Sequence, residues 1–299
     1  MLYYQKLKTI TPLSYSLTKF KEIGQIMLYF YNFHTDTTLK NVFLQSFGFH
    51  GYLDNVEGLQ NHIKERKISF CRFNKKKKTK FLQQYHPALM NNEPIMNDIN
   101  VDKNMIVTGP NAAGKTTLIK STIINLILSQ QFGCGFYKSA NVNPYQYIHC
   151  YLNIPDTSGR DSLFQAEARR CKEILDEVYK SPESRHFCIF DELYSGTNPY
   201  EAVASAYGYL NYLVMLNNCN YILTTHFINL CDLMEKKTDV LNKHMKVTIN
   251  NKNEEDQELE YTYKIVNGKS NIKGGTFVLK ELNYPKEIID DAVKILDDL

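Results

Sequence analysis

Residues 109–117 read Gly-Pro-Asn-Ala-Ala-Gly-Lys-Thr-Thr and fit Gly-x-x-x-x-Gly-Lys-[Ser/Thr], the pattern of a phosphate-binding loop. The apolar, β-branched run at 105–108 predicts a buried strand before it, and residues 116–128 carry Ile and Leu at helical spacing after it. A strand that turns through glycines into a helix directs backbone N–H groups and the positive helix end at one point, where phosphate binds. The stretch therefore predicts a nucleotide site. Its candidate ATP-binding residues are Gly109, Pro110, Asn111, Ala112, Ala113, Gly114, Lys115, Thr116 and Thr117.

Two members of the loop and two acids predict a magnesium-dependent ATP hydrolase. Lys115 is expected to reach the β- and γ-phosphates, and the Thr116 hydroxyl is expected to bind Mg²⁺. The apolar run at 187–190 ends in Asp191 and Glu192. In P-loop enzymes the first such acid lies beside the magnesium shell, and the second orients or deprotonates the attacking water. ATP and Mg²⁺ are therefore the predicted cofactors, with Thr116 and Asp191 as the metal residues.

His226 follows a third apolar, β-branched run at 221–225. Open α/β sheets bind ligands beyond the carboxyl ends of their strands. We therefore interpret His226 as a γ-phosphate contact, and the alternative is an ordinary structural histidine.

Five motifs, in this order along the chain, resemble those of the ATPase domain of the MutS mismatch-repair family, a branch of the ABC-type ATPases. The resemblance covers roughly residues 82–299. The matching stretches are His86-Pro87 with Asn92-Glu93-Pro94, Gly109-Pro110-Asn111, Ser162-Leu163-Phe164-Gln165-Ala166-Glu167, Asp191-Glu192-Leu193 with Ser195-Gly196-Thr197-Asn198, and Thr225-His226-Phe227.

The resemblance implies a composite site in a dimer. In this family the serine of the Ser-Thr-Phe-x-x-Glu signature reaches the nucleotide of the opposing subunit, and Ser162 holds that position here. The catalytic residues would then be Glu192, His226 and Ser162. The partner would be a second copy of this chain or another MutS-like protein.

The chain departs from the family pattern at three places. Ala113 replaces a glycine, and alanine, unlike glycine, does not adopt positive φ without strain. Ile95 replaces an aromatic residue that stacks on adenine in the family. Tyr194-Ser195 stands where the family has Gly-Arg, so a contact across the dimer is in question.

Composition agrees with a soluble intracellular protein that does not enter a membrane. The net charge of the 299 residues is only +3, and no apolar run approaches the ~18–20 residues that span a bilayer. The chain start lacks the apolar core of a secretory signal. Seven cysteines without a Cys-x-x-Cys pair favour reduced thiols.

The order of elements predicts an α/β fold of the ABC-type P-loop class with a mainly parallel sheet over residues 82–299. The three apolar strands alternate with helical patterns at 116–128, 164–180 and 201–216. Before them, residues 1–81 carry helical patterns at 14–32 and 52–64, which predict a small helical subdomain. Its position resembles the end of the family's lever and core region.

A basic segment lies at 64–80, with nine basic residues against one acid. Such a block is most simply a solvated loop, and the alternatives are a nucleic-acid patch or a targeting signal. The candidate DNA contacts are Lys75, Lys76, Lys77 and Lys78.

Three functional hypotheses follow. The first is a DNA repair or recombination ATPase, which binds and hydrolyses ATP at a composite dimer site to drive a conformational change on DNA. It would act without a mismatch-reading domain of its own, because residues 1–81 are too few for the mismatch-reading, connector and clamp domains that the resemblance implies for a full-length family member. The second is a regulatory subunit that completes the ATPase site of a larger MutS-like partner. The third is a fragment of a longer gene product.

Overall fold

The computed structural model of the chain describes residues 15–76, 78–101, 103–152, 162–251, 257–272 and 274–298, with a few positions before residue 15. The chain divides into two compact units, Met1–Glu65 and Arg66–Leu299. Lys77, one of the candidate DNA contacts, lies outside the described residues. No helix in the described ranges combines the length and the apolar character that crossing a bilayer requires.

The first unit contains the helices α1 (Thr18–Thr35) and α2 (Thr37–Lys64). Asp36 caps α2, because its Oδ1 accepts a hydrogen bond from the backbone N–H of Thr38 at 2.9 Å. The sequence pattern predicts helix over 52–64, whereas α2 begins much earlier. Gly48 and Gly51 lower the helix propensity of the turns before residue 52, so the sequence pattern predicted only the second half of α2.

The second unit alternates strands with helices. Its described strands are β1 (Ser69–Phe73), β2 (Lys80–Gln84), β3 (Asn97–Asn100), β4 (Asn104–Thr108), β5 (Cys134–Gly135), β6 (Ser139–Val142), β7 (Tyr147–Tyr151), β8 (His186–Asp191), β9 (Cys219–Thr224), β10 (Val240–Asn251) and β11 (Gln257–Asn267). Its described helices are α3 (Lys115–Phe132), α4 (Leu163–Lys180), α5 (Pro199–Met215), α6 (Ile228–Glu235), α7 (Gly275–Glu281) and α8 (Lys286–Asp298). The α/β class predicted from the sequence is confirmed.

The larger sheet has six strands in the order β11-β10-β4-β9-β8-β7. Its pairings are parallel except that of β10 with β11, which is antiparallel. Parallel strands end at the same edge of a sheet, so the ends of β4, β8 and β9 meet. Asp191 pairs directly with Thr224, and Thr224 pairs with Val107. This edge carries the residues that the sequence assigns to the nucleotide site.

A second sheet of five strands, in the order β3-β2-β6-β1-β5, was not predicted. Only its β1–β6 pairing is parallel, and the pairings of β1 with β5 and of β2 with β3 and β6 are antiparallel. The expectation of a mainly parallel sheet therefore describes only the larger sheet, and it is incomplete because the unit also contains this mixed sheet. The strands escaped prediction because they are short and most of them hold few apolar residues. β3, for example, reads Asn-Asp-Ile-Asn, which has low strand propensity.

Helix α3 packs against both sheets. Phe81 and Ile99 of the smaller sheet and Met105 of the larger sheet share one core cluster with Ile119 of α3. Polar contacts hold the helix as well, because the buried Asn125 amide accepts a hydrogen bond from Phe136 N at 2.7 Å. Since α3 begins directly after the phosphate loop, this double packing fixes the direction in which the helix start points.

Two buried histidines form a hydrogen-bonded pair between β7 and β8. His186 Nε2 lies 3.0 Å from the carbonyl oxygen of Ser181, which only accepts, so His186 Nε2 carries the proton. His186 Nδ1 then accepts from His149 Nε2 at 3.1 Å. Burial is the largest cause that lowers the pKa of His149 to about 4, and electrostatic interaction with His186 and Arg170 contributes in the same direction.

We expect this pair to make folding stability depend on pH. The unfolded chain binds a proton at His149 near pH 6.5 and the folded chain only near 4. Stability present above pH 6.5 is therefore lost as the pH falls toward 4, by up to about 3 kcal/mol. Urea unfolding at pH 7.5, 5.5 and 4.5 measures this. His149→Gln should flatten the dependence, whereas His34→Gln, a change on exposed α1, should not. Equal pH slopes in all three proteins would contradict the expectation.

Candidate active site

The phosphate loop connects β4 to α3 with three unusual backbone conformations. φ is +151° at Gly109, +61° at Ala112 and +93° at Gly114. Ala113, where the family has glycine, is buried and does not have positive φ. The missing glycine therefore creates no backbone strain at this position. The left-handed conformation falls on Ala112 instead, at a cost of about 1 kcal/mol.

Lys115 lies inside the loop rather than in solvent, with only 5 % of its surface exposed. Its Nζ donates to the carbonyl oxygens of Gly109 at 3.0 Å and Pro110 at 3.1 Å. Burial lowers the pKa of Lys115, while the charges of Glu192 and Asp191 act in the opposite direction. The ammonium group is thus held at the centre of the loop.

The two residues predicted to bind magnesium are in direct contact. Thr116 Oγ1 donates to Asp191 Oδ2 at 2.9 Å, and the hydroxyl of Thr224 donates to the other carboxylate oxygen. A hydroxyl and a carboxylate oxygen side by side fit Mg²⁺, which takes few protein ligands and completes its shell with phosphates and water. The described residues contain no cluster of three or more His, Cys, Asp or Glu side chains that would hold a metal alone.

Glu192 and His226 form the second contact at the same sheet edge. Glu192 Oε1 lies 3.0 Å from His226 Nε2, and this hydrogen bond lowers the pKa of Glu192. The same Nε2 lies 3.1 Å from Lys115 Nζ. One ring nitrogen cannot both accept from the lysine and donate to the carboxylate, so His226 has competing partners. The sequence named all three residues but predicted neither contact.

Ser162 occupies the N-cap of α4 and is exposed. Its Oγ accepts from Gln165 N at 3.3 Å, and its backbone N–H donates to the Gln165 side chain at 3.0 Å. This reciprocal arrangement is a capping box. Neither hydrogen bond reaches the phosphate loop of the same chain.

The buried carboxylate of Glu167 joins two of the sequence motifs. It accepts from Ser195 N at 3.1 Å, from Ser195 Oγ at 3.0 Å and from Gly196 N at 3.1 Å. A side chain at Gly196 would lie 2.8 Å from the backbone nitrogen of Phe164. The loop that follows Asp191 and Glu192 is therefore tied to the start of α4. The sequence offered both motifs but no sign of this contact.

Tyr194 occupies the place of a family glycine and has φ of +58°. Its ring is buried, and the ring centroid lies 5.6 Å from that of Phe164. Ser195, at the place of the family arginine, directs its hydroxyl to Glu167. The departure from the family pattern thus has a packing role within this chain.

Two clefts flank the phosphate loop. The one of about 360 Å³ lies between Ile95, 44 % exposed, and Tyr263 of β11, and Gly114 also lines it. Tyr263 was not among the predicted site residues. The other, of about 840 Å³, is lined by loop residues, by His226 and by residues of α7 and α8. Its opening beside the loop and His226 makes this side of the site accessible.

The candidate DNA contacts lie away from the loop in sequence. Lys75, Lys76 and Lys78 are exposed in the connection between β1 and β2. They form no ion pair with a carboxylate in the described part of the chain.

Comparison with known proteins agrees with the sequence motifs. The family model of MutS domain V matches residues 105–299. DNA mismatch repair protein Msh3 of Dictyostelium discoideum is 30% identical over 203 residues, which are 64% of this chain and 14% of that protein. DNA mismatch repair protein MutS of Prochlorococcus marinus (strain AS9601) is 28% identical over 247 residues, 80% of this chain and 26% of that protein.

A further relative is DNA mismatch repair protein MutS of Streptococcus mutans, 28% identical over 212 residues, 69% of this chain and 24% of that protein. The chain thus spans about a quarter or less of the length of these relatives. The motifs, the site geometry and the matched region agree, and the chain belongs to the MutS family through its domain V.

Proposed function

We propose that this chain binds and hydrolyses ATP with Mg²⁺ as the ATPase part of a DNA repair or recombination machine. The observation that carries the proposal is the meeting of Lys115, Thr116, Asp191, Glu192 and His226 at one sheet edge. Each of these contacts joins residues from different sequence motifs. Such convergence of a cation, two carboxylates and a histidine supports phosphate chemistry.

Each residue has a distinct proposed part. Lys115 turns from the loop carbonyls to the β- and γ-phosphates, and the backbone N–H groups of the loop hold the other phosphate oxygens. Mg²⁺, held by Thr116 and Asp191, would neutralise charge that develops on the phosphates. Glu192 accepts the proton of the attacking water. His226, released from Lys115 by the nucleotide, donates Nε2–H toward the γ-phosphate.

The base of the nucleotide would enter the cleft between Ile95 and Tyr263. An aliphatic side chain on one side and a tyrosine ring on the other offer an apolar slot for a flat base. Tyr263 would thereby supply an aromatic surface for the base. The family's own aromatic residue is replaced by Ile95 here, so the sequence alone did not predict such a surface. ATP is the proposed nucleotide.

We further propose that the site is completed by a second MutS-like subunit, whose signature serine approaches the γ-phosphate from the open side. The exposure of Ser162 supports this, because its hydroxyl lies at the start of α4, where orphan N–H groups favour an incoming phosphate. The sequence resemblance assigns residues 1–81 to the end of the lever and core region, and we propose this role for α1 and α2, because β1 belongs to the second unit. We propose that ATP drives a conformational change in the resulting dimer while it is bound to DNA.

The second candidate function is a regulatory subunit of a larger MutS-like partner. The engagement of Ser195 with Glu167 favours it, since this chain lacks the arginine that the family carries there. ATPase rate measured against protein concentration, with and without DNA, discriminates the two. Specific activity that rises with concentration supports self-association. Activity that appears only with a partner supports the regulatory subunit, and no activity under either condition would contradict the ATPase proposal.

Lys115→Ala is expected to weaken ATP binding by about 10- to 100-fold, because one charge-assisted contact is lost. A fluorescent-nucleotide titration measures the change. Lys172→Ala removes an equal charge from the exposed side of α4 and should bind normally. Unchanged affinity in Lys115→Ala would remove this lysine from the site.

A further inference from the structure

The smaller sheet has one face that no described element of the second unit covers. Phe81, Ile99 and Ala140 point inward and are buried, so the residues that alternate with them point outward. The register aligns them in two rows across neighbouring strands. The first row is Arg72, Asn141, Lys80 and Asn100, and the second contains the pair Leu82 and Ser139. Phe70 precedes Arg72 by two residues on β1 and therefore lies on the same side of the sheet, beside the second row. We call the part formed by Phe70, Arg72, Lys80, Leu82, Ser139 and Asn141 the basic sheet face.

Positive charge collects on and beside this face. Arg72 and Lys80 lie on it, and further exposed lysines stand at its rim: Lys75, Lys76, Lys78 and Lys138. None of these six cations has a carboxylate partner in the described ranges. Asp98, on the edge strand β3, is the acid of these strands, and its Oδ1 is occupied by Gln83 N at 2.8 Å. The unpaired charge therefore fits a polyanion.

Apolar surface lies within the charge rather than apart from it. Phe70 is 65 % exposed on the same side of β1 as Arg72, and Leu82 is half-buried in the neighbouring row. An exposed aromatic ring on a sheet offers a flat surface to a planar group. Ser139 and Asn141 between them present small polar side chains, so the face is no continuous apolar patch of the kind that enters a lipid bilayer.

We propose that the basic sheet face binds single-stranded nucleic acid. A base stacks on Phe70, and phosphates on either side of it bind Arg72 and Lys80. β6 separates the strands that carry these two cations, so their Cα atoms stand about 9–10 Å apart, a distance that long side chains adjust to successive phosphates.

The ring selects the single strand over other polyanions. Duplex DNA hides the faces of its bases in the stack, so a duplex uses the cations but not Phe70. An acidic protein or an anionic membrane likewise offers no stacked base. The proposal rests on the DNA part of the proposed function. It places the main nucleic-acid contacts on the basic sheet face, whereas the sequence placed them at Lys75, Lys76, Lys77 and Lys78. It does not depend on ATP.

Fluorescence anisotropy of labelled dT20, titrated with the full chain without nucleotide or Mg²⁺, tests it. Phe70→Ala should weaken binding by roughly 5- to 150-fold and leave the salt dependence unchanged, because stacking carries no charge. The double variant Arg72→Gln/Lys80→Gln should lower the log–log salt slope by about 1.4, as expected for two phosphate contacts on a single strand. Lys172→Gln/Lys180→Gln, an equal charge change on α4, is the matched control and should bind like wild type.

Competitors identify the ligand. Unlabelled dT20 or rU20 should displace the probe, and whichever does so at lower concentration names DNA or RNA as the source. Duplex, heparin and vesicles with anionic lipid should compete much less well. Competition by duplex equal to that by dT20, together with normal binding by Phe70→Ala, would overturn the proposal. Melting temperatures equal to wild type ensure that each variant is folded. Loss of ATPase activity with intact dT20 binding would count against the proposed function alone.

Discussion

Replacing Glu192 with Gln is expected to slow ATP hydrolysis by about 10²- to 10⁴-fold while ATP still binds. Gln keeps the size and the hydrogen-bonding reach of Glu but cannot take a proton from water. The hydrogen bond from His226 at 3.0 Å keeps the pKa of Glu192 low, so the carboxylate is ionised at neutral pH in the wild-type chain. The loss therefore falls on the chemical step and spares binding.

Single-turnover hydrolysis and a nucleotide titration separate these two effects. Glu173→Gln makes the same chemical change on the exposed side of α4 and should hydrolyse ATP at the wild-type rate. The slow variant should also accumulate as an ATP-bound dimer, which light scattering detects. Asp191→Asn should differ from it by weakening Mg²⁺ dependence and binding together, because Asp191 contacts Thr116. If Glu192→Gln hydrolysed ATP at the wild-type rate, Glu192 would have a structural role and no catalytic one.

The elements around the site were predictable because parallel strands are buried on both faces. Such strands read as unbroken apolar runs, and the runs at 105–108, 187–190 and 221–225 correspond to β4, β8 and β9. The helical pattern at 164–180 likewise corresponds to α4, whose Cys171, Ile174 and Val178 are buried on one stripe. Since residues at the ends of parallel strands share one edge, their meeting also followed from order alone.

The contacts that were missed join segments distant in sequence. Tyr263 reaches Gly114 because β11 pairs with β10 and β10 pairs with β4, and no local spacing records this. Glu167 binds Ser195 because α4 packs beside the loop after β8. The smaller sheet was missed for another reason, since its strands hold too few apolar residues for a period-2 pattern. Local sequence thus predicts individual strands and helices, whereas the pairing of strands in the sheet determines which distant residues come into contact.

Two inactive variants are expected to restore activity when mixed, if the site is shared between subunits. Ser162→Ala and Lys115→Ala should each be slow alone, the first through loss of a phosphate contact worth about 10²- to 10³-fold in rate. In a mixed dimer, one site pairs the intact loop of the Ser162→Ala chain with the intact serine of the Lys115→Ala chain. The other site lacks both. An equimolar mixture with random pairing should therefore regain about one quarter of wild-type activity, as symmetry-related sites require.

The capping role of Ser162 demands a control, because Ser162→Ala also removes the N-cap of α4 at a cost of about 1 kcal/mol. Gln165→Ala breaks the reciprocal half of the same capping box and leaves the serine hydroxyl in place. It should keep most of its activity alone, so a large loss in Ser162→Ala belongs to the hydroxyl. Native mass spectrometry counts the mixed dimers in the same sample. Mixed dimers without recovered hydrolysis would show that each subunit works alone, since trans catalysis leaves one complete site in every such dimer.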